Sequence, residues 1–237
     1  MKTGGARRLA ILSATTFETG PLMTGAPQEP TATTWPVVGD GSIAGVPVIF
    51  AVSGLGKAAA AAAVAALARG WNVSAVVQVG VGGAYPGAGV PLGSAAFAAS
   101  EIDLDLGLGR HPDWRGLEAL AVPGGTSGNL VDLRGAGLAA ATTATDLPAL
   151  PFATSDSVTA DRGHASYLRD RFALSVESME GAGAARAAYA LGVAFIEVRG
   201  VSNEVGERDR SLWRLREAIA AAGEAARLAL PAVMEVV

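Results

Sequence analysis

The stretch Leu174-Ser175-Val176-Glu177-Ser178-Met179-Glu180-Gly181-Ala182-Gly183-Ala184-Ala185-Arg186-Ala187-Ala188-Tyr189-Ala190-Leu191, followed shortly by Ala194-Phe195-Ile196-Glu197-Val198-Arg199-Gly200-Val201, decides the fold. Leu174–Ser178 reads as a strand. Glu180–Leu191 reads as a helix, because Ala is the best helix former. Ala194–Val201 reads as a second strand. The same order extends outward. Upstream are strands at Leu9–Ser13, Val46–Val52, Ser74–Val79 and Leu150–Thr154, and an extended run at Leu92–Ile102. Helices are expected at Gly56–Arg69, Arg134–Thr145 and Asp161–Phe172, and a last one at Asp209–Leu230. Repeated strand–helix order predicts an α/β fold: a central, mixed, twisted sheet with helices on both faces. With 237 residues and no interdomain linker, residues 1–237 are expected to form one domain. Two stretches, Thr19–Pro36 and Gly107–Ser127, read as surface loops, each also a candidate lid.

Composition narrows the function. Half of the residues are hydrophobic and 17% are charged, which opposes disorder. Ala and Gly dominate, as tight helix-on-sheet packing requires. The net charge is −4 with no basic cluster, so a nucleic-acid partner lacks its electrostatic footprint. There is no Cys, which removes disulfide and thiolate chemistry. His111 and His164 lie far apart without ligand spacing, so no metal site is expected. Lys2, Arg7 and Arg8 precede the apolar run Leu9–Leu12, but that run is too short for a signal peptide and reads as a buried strand. The Ala-rich run Ala58–Ala68 is too short to span a bilayer. No membrane association and a cytoplasmic location are the expectations.

In α/β folds, sites gather at the carboxyl ends of strands. That rule selects Ser13–Glu18, Ser53–Lys57, Gly80–Gly83, Ser178–Glu180 and Ser202–Asn203. Gly54-Leu55-Gly56-Lys57-Ala58-Ala59 fits the loose pattern G-x-G-x-x-A, but the next strand ends at Gln78 and Val79, without the acid that would hold a ribose hydroxyl. Dinucleotide binding is therefore not expected, nor any other cofactor. Gly80-Val81-Gly82-Gly83 is dense enough to suggest a ligand wall, although a tight bend also accounts for it. Glu180 at a helix start suits the helix dipole. Alternation puts Glu197 and Arg199 on one face of a strand, as a partly buried pair. On the residues alone, none of these acids acquires a catalytic role.

Two phrases in order, Ser178-Met179-Glu180-Gly181-Ala182 and Val198-Arg199-Gly200-Val201-Ser202-Asn203, resemble the purine nucleoside phosphorylase/nucleosidase superfamily. Ser13-Ala14-Thr15-Thr16-Phe17-Glu18, Ser53-Gly54-Leu55-Gly56-Lys57, Val79-Gly80-Val81-Gly82-Gly83 and Thr154-Ser155-Asp156 extend the likeness nearly end to end. The resemblance implies a small-molecule purine nucleoside as substrate, cleavage of its N-glycosidic bond, and a homodimer or higher homo-oligomer. It also implies site roles. Glu18 and Arg199 would activate water, and Asn203 would hold the departing base, oriented by Ser202. Glu180 would bind the ribose hydroxyls, with Met179 against the sugar. Val81, Gly82, Gly83, Asp156 and Val158 would line the pocket. Val81 and Ser94 depart from the pattern of many nucleosidases, which have Ser and Asp there.

Two branches of the family come nearest: the nucleosidases of methylthioadenosine and S-adenosylhomocysteine, and the futalosine-cleaving enzymes of menaquinone biosynthesis. The tail Ser202-Asn203-Glu204-Val205-Gly206-Glu207-Arg208-Asp209-Arg210, with Trp213, resembles the second. Adenosine-type enzymes carry Asp where Asn203 stands. A protonated Asp can protonate adenine N7, whereas an amide only exchanges hydrogen bonds. A 6-oxopurine such as the hypoxanthine of futalosine leaves more readily as an anion and suits the amide. Phosphorylases of the superfamily grip phosphate with arginines. Here the Ser13–Leu22 loop has none, and Gln78 stands where a phosphorylase Arg would, so water is the expected nucleophile. A non-catalytic nucleoside binder on the same fold is the remaining rival, and it would not need both Glu18 and Glu180. Arg208, Arg210 and Lys57 are the candidates to meet futalosine's aryl carboxylate.

Overall fold

The computed structural model describes residues 8–22, 37–108, 113–121 and 128–237. In chain order these form β1 (Arg8–Ser13), α1 (Thr16–Thr19), β2 (Val37–Ile43), β3 (Val46–Val52), α2 (Lys57–Gly70), β4 (Val73–Ala84), β5 (Ala95–Asp103), β6 (Gly107–Leu108), β7 (Arg115–Gly116) and β8 (Leu130–Asp132). Then follow α3 (Ala136–Thr145), β9 (Ala149–Thr154), α4 (Arg162–Phe172), β10 (Val176–Ser178), α5 (Gly181–Leu191), β11 (Ala194–Glu204) and α6 (Leu215–Val236). The main sheet runs β10-β9-β5-β11-β4-β1-β3-β2, with β8 against β5. It is mixed: β4 is parallel to β1 and β11, while β5 is antiparallel to β11.

Alternation along the central strands divides the core. Leu9, Ile11, Val48, Phe50, Val77 and Val198 face one way and meet Leu138 and Ala141 of α3 and Ala222, Ala226 and Leu230 of α6. Ala10, Leu12, Ile49, Ala51 and Val76 face the other way and meet α2 and α5. Small residues let the layers close up. Gly200 of β11 lies so near the Ala218 backbone of α6 that no side chain would fit, and Gly183 of α5 is also too near the backbone of Lys57 for one.

The sheet is not simply open. β10 also pairs antiparallel with the far end of β4, through Val176 with Ala84 and Glu177 with Gly83. This closes β4, β11, β5, β9 and β10 into a small ring. Gly82 permits it, since a Cβ there would stand 2.7 Å from the Glu177 carbonyl oxygen. The glycine cluster is therefore neither a bend nor a strand end: β4 continues through it to Ala84.

Other elements depart from the sequence-based expectation. β2 follows directly on the Thr19–Pro36 stretch, where no strand was expected. Its residues Gly39-Asp40-Gly41-Ser42 have no apolar period, and pairing with β3 makes it a strand. Ala44 and Gly45, both at positive φ (49° and 81°), form the tight hairpin turn between β2 and β3. α6 starts at Leu215, not Asp209, because the Asp209 carboxylate accepts the Ser211 N–H and caps a separate 3-10 turn. It runs on through Pro231 to Val236, anchored by Leu230 and Val233. Within Gly107–Ser127, β6 and β7 form a small hairpin. His111 lies outside the described residues, as do Lys2 and Arg7. Among the described residues, no helix is long and apolar enough to cross a membrane, and no group of three or more His, Cys, Asp or Glu side chains could hold a metal ion.

Candidate active site

The site is built where β1, β4, β10 and β11 end. β1 stops at Ser13 and the chain turns at once into α1. Glu18, at the third position of that single turn, reaches back so that its Oε2 accepts from Thr15 N–H and Oγ1, each at 3.0 Å. This is the carboxylate half of a capping box. Its Oε1 accepts from Val81 N–H at 3.1 Å, which pins Glu18 to the glycine-rich part of β4. A Cβ at Gly80 would meet both Glu18 Oε1, at 2.7 Å, and the Arg199 guanidinium. Absence of a side chain at 80 is what lets that acid and that base approach each other.

Glu180 ends the turn between β10 and α5 and is 3% exposed. Its Oε1 accepts from Gly56 N–H at 3.2 Å, and its Oε2 lies 3.2 Å from Arg199 Nη2. Arg199 is 1% exposed and donates from Nε to Glu197 Oε1 at 2.8 Å. Burial disfavours the charged guanidinium, but the charges of Glu197, Glu180 and Glu18 outweigh it and raise its pKa. Arg199 is thus permanently cationic, lying beneath the cavity and clamped by acids from three separate parts of the chain.

The opposite wall is neutral. In β11 the register slips between Val201 and Asn203 relative to β4, a bulge at Ser202. Bulges re-aim side chains beside sites. Ser202 Oγ donates to Asn203 Oδ1 at 2.7 Å, and Asn203 Nδ2 donates to the Glu204 carbonyl at 2.9 Å. With Oδ1 fixed as acceptor, the second Nδ2 hydrogen is left for a ligand.

Of the sequence-predicted residues, Glu18, Val81, Gly82, Gly83, Val158, Met179, Glu180, Ser202 and Asn203 line one cavity. Asp156 does not. Its Oδ1 accepts the Lys57 N–H at the start of α2, its own N–H is bound by Asp105, and its side chain is half exposed. The expectation that Asp156 lines the pocket is corrected: an exposed acid beside a helix N-terminus serves the helix. Lys57 is likewise withdrawn, since its Nζ donates to Asp103 and Asp105 at 2.7 and 2.5 Å. Burial works against its charge, yet those hydrogen bonds raise its pKa. Gln78 is fully buried and outside the cavity lining. Arg208 does line the cavity, with its guanidinium carbon 5.3 Å from the Trp213 ring centroid.

Sequence reasoning gave no site role to Leu55, Thr159 or Glu177, which also line the cavity. Glu177 is saturated: Tyr85 Oη, Thr159 N–H and Thr159 Oγ1 all donate to it, at 2.8, 3.0 and 2.7 Å. Burial, then the Glu177 charge, pushes the Tyr85 phenol well up, so the phenol keeps its proton and stays a donor to Glu177. The available signal was an acid beside Val176 in a short, fully buried strand, Val176–Ser178.

Residues 8–236 match the phosphorylase superfamily. A futalosine hydrolase of Thermus thermophilus is 37% identical over 190 residues, 76% of this chain and 79% of the relative. A futalosine hydrolase structure from Helicobacter pylori superposes with a TM-score of 0.78 at 19% identity, covering 98% of both chains. A 5′-methylthioadenosine/S-adenosylhomocysteine nucleosidase of Colwellia psychrerythraea in complex with adenine gives 0.77 at 20% identity, covering 98% of this chain and 96% of that one. The backbone therefore does not separate the two activities, while sequence identity leans to one.

Proposed function

The chain belongs to the phosphorylase superfamily, and we propose that it is a nucleosidase that cuts the N-glycosidic bond of futalosine with water, releasing hypoxanthine and dehypoxanthine futalosine for menaquinone biosynthesis. The observation that carries this reading is the split cavity: two buried carboxylates over Arg199 on one wall, and a neutral, Ser-oriented amide on the other.

Glycosidic cleavage passes through an oxocarbenium-like transition state. Glu180, fixed by Gly56 N–H and Arg199, accepts hydrogen bonds from the ribose hydroxyls and stabilises the developing positive charge. Met179 packs on the sugar. Glu18 orients the attacking water and takes its proton as the oxygen bonds to C1′. The C1′–N bond breaks, its electron pair leaves with the base, and Asn203 Nδ2 donates to the anionic hypoxanthine, which then takes a proton from solvent. Val81, Gly82, Gly83 and Val158 shape the walls, while Arg199 acts on both acids from below.

Lys57 is engaged by acids, and Arg210 sits on the exposed 3-10 turn. Arg208 and Arg210 both lie against the Trp213 ring, but of the two it is Arg208 that lines the cavity, so Arg208 grips futalosine's carboxylate. Residues 1–237 act as one nucleosidase domain in a cytoplasmic homo-oligomer, whose assembly light scattering on the purified protein tests. Adenine release from methylthioadenosine or S-adenosylhomocysteine is the second reading. Its support is the equal likeness of backbones, and Asn203 opposes it.

The test is product analysis with futalosine, inosine, methylthioadenosine and S-adenosylhomocysteine, each with and without phosphate. Hypoxanthine from futalosine at the same rate in both conditions is expected. Phosphate dependence would make the protein a phosphorylase, and no turnover at all would make it a binder.

A further inference from the structure

Below Arg199 the sheet holds a second pair of acids. Glu197 of β11 and Glu101 of β5 are both fully buried. Glu197 Oε1 accepts from Arg199 Nε. Thr154 Oγ1 accepts from Ala182 N–H at 2.8 Å, so its own hydrogen goes to Glu101 Oε2, at 2.7 Å. Each carboxyl is thereby left with one other oxygen, Glu197 Oε2 and Glu101 Oε1, and neither has a further hydrogen-bond partner among the described residues. Those two oxygens converge on Gly181: a side-chain carbon at 181 would collide with both at once. Two buried acceptors facing each other without a donor repel, and one proton between them satisfies both.

We propose that Glu101 and Glu197 share one buried proton, carried on Glu101 Oε1 and donated to Glu197 Oε2, and that this pair is the positioning element that holds Arg199 against Glu18 and Glu180. Charge count supports it. Around Arg199 stand Glu18, Glu180, Glu197 and Glu101, four acids to one guanidinium, and ionising all four in a buried site opposes folding. The charged and titratable groups facing Glu101 are Glu197 and Arg199 from β11 and Tyr85 beyond β4. Burial first, then the Glu197 charge, holds the Glu101 carboxyl well above the usual range. With its proton, Glu101 fixes the Glu197 rotamer. Glu197 then occupies the Nε edge of the guanidinium, and the Nη edge is left for Glu180 and Glu18.

The inference rests on the site reading above but not on the identity of the nucleoside. Infrared difference spectroscopy of the wild-type protein at neutral pH should show the carbonyl band of a protonated carboxylic acid, lost in Glu101→Gln. Kinetically, Glu101→Gln retains a neutral donor toward Glu197 and should keep kcat within about threefold of wild type. Glu197→Gln frees the guanidinium and should lower kcat about 10- to 100-fold, with a smaller change in KM and a displaced pH–rate profile. Absence of the band would overturn the proposal. So would a loss of more than about tenfold in Glu101→Gln, or a Glu197→Gln enzyme with unchanged kcat and pH profile. If the wild type fails to cleave futalosine, the functional reading falls while the infrared result still decides the shared proton. The kinetic comparison then uses whichever nucleoside the enzyme does cleave.

Discussion

The two walls of the cavity are built on opposite principles. One wall, with Arg199 beneath it, concentrates charge: Glu18, Glu180 and Arg199 come from β1's end, the start of α5 and β11, and each is at most 7% exposed. The other wall is a local device, two adjacent residues on a strand bulge, with no charge of its own. In the proposed reaction the first is the sugar side and the second the base side, so that charge stands where a cation develops and a neutral donor stands where an anion departs. Buried charge is worth more in a water-poor site than in solvent, but it requires long-range framing. A neutral amide needs only a neighbouring hydroxyl.

The largest effect should come from breaking the charged wall. Glu18→Gln and Glu180→Ala are each expected to lower kcat by about 10²–10⁴-fold. Circular dichroism should show the fold retained in Glu18→Gln, because the amide keeps one acceptor for Thr15 or Val81. Normal turnover in either variant would remove the role assigned to it.

Next is conversion of the neutral wall into a charged one. Asn203→Asp should cut kcat/KM for futalosine by about 10- to 100-fold, and adenine release from methylthioadenosine should rise. Product chromatography on both substrates checks this.

Smaller still is the contrast between Arg208, which lines the cavity, and Lys57, which does not. Arg208→Ala should raise KM for futalosine about tenfold or more, as loss of a charge-assisted hydrogen bond does, with kcat little changed. Lys57→Ala should instead lower the melting temperature, because Asp103 and Asp105 lose their counter-ion. A reversal of the two phenotypes would exchange their roles.

The smallest effect is on stability. The Glu101 carboxyl is raised in the native state, so its favourable contribution is complete below the ordinary Glu range and is lost as pH rises toward its native value. Glu101→Gln does not titrate. Its melting temperature relative to wild type should therefore climb as pH rises above the ordinary Glu range, then level off. A difference independent of pH would mean that Glu101 titrates alike in both states.

How much of this was legible in the sequence follows the same division. β1 and β3 were readable because continuous apolar runs in a parallel sheet are buried on both faces. Val46–Val52 has the ends that the sequence suggested. β2 was not readable, because its pairing with β3 and not its composition makes it a strand. Nor was the closure of β10 on β4, which joins residues about ninety apart; the Gly80–Gly83 cluster was its trace, read as a wall or a bend. In the site, the residue types of Glu18, Glu180 and Asn203 gained meaning from the family likeness. The Glu197–Arg199 pair came from alternation alone. Glu101 gave no local sign, since its partner lies on another strand. Asp156 and Lys57 misled because strand-end position does not reveal which acids and bases neutralise each other.

The most direct test of the account compares kcat/KM of the wild-type enzyme for futalosine and for methylthioadenosine, in buffer without phosphate. A neutral base-side wall predicts hypoxanthine release from futalosine, favoured by at least about 10²-fold. Adenine released as readily, with Asn203 in place, would contradict the division between the two walls.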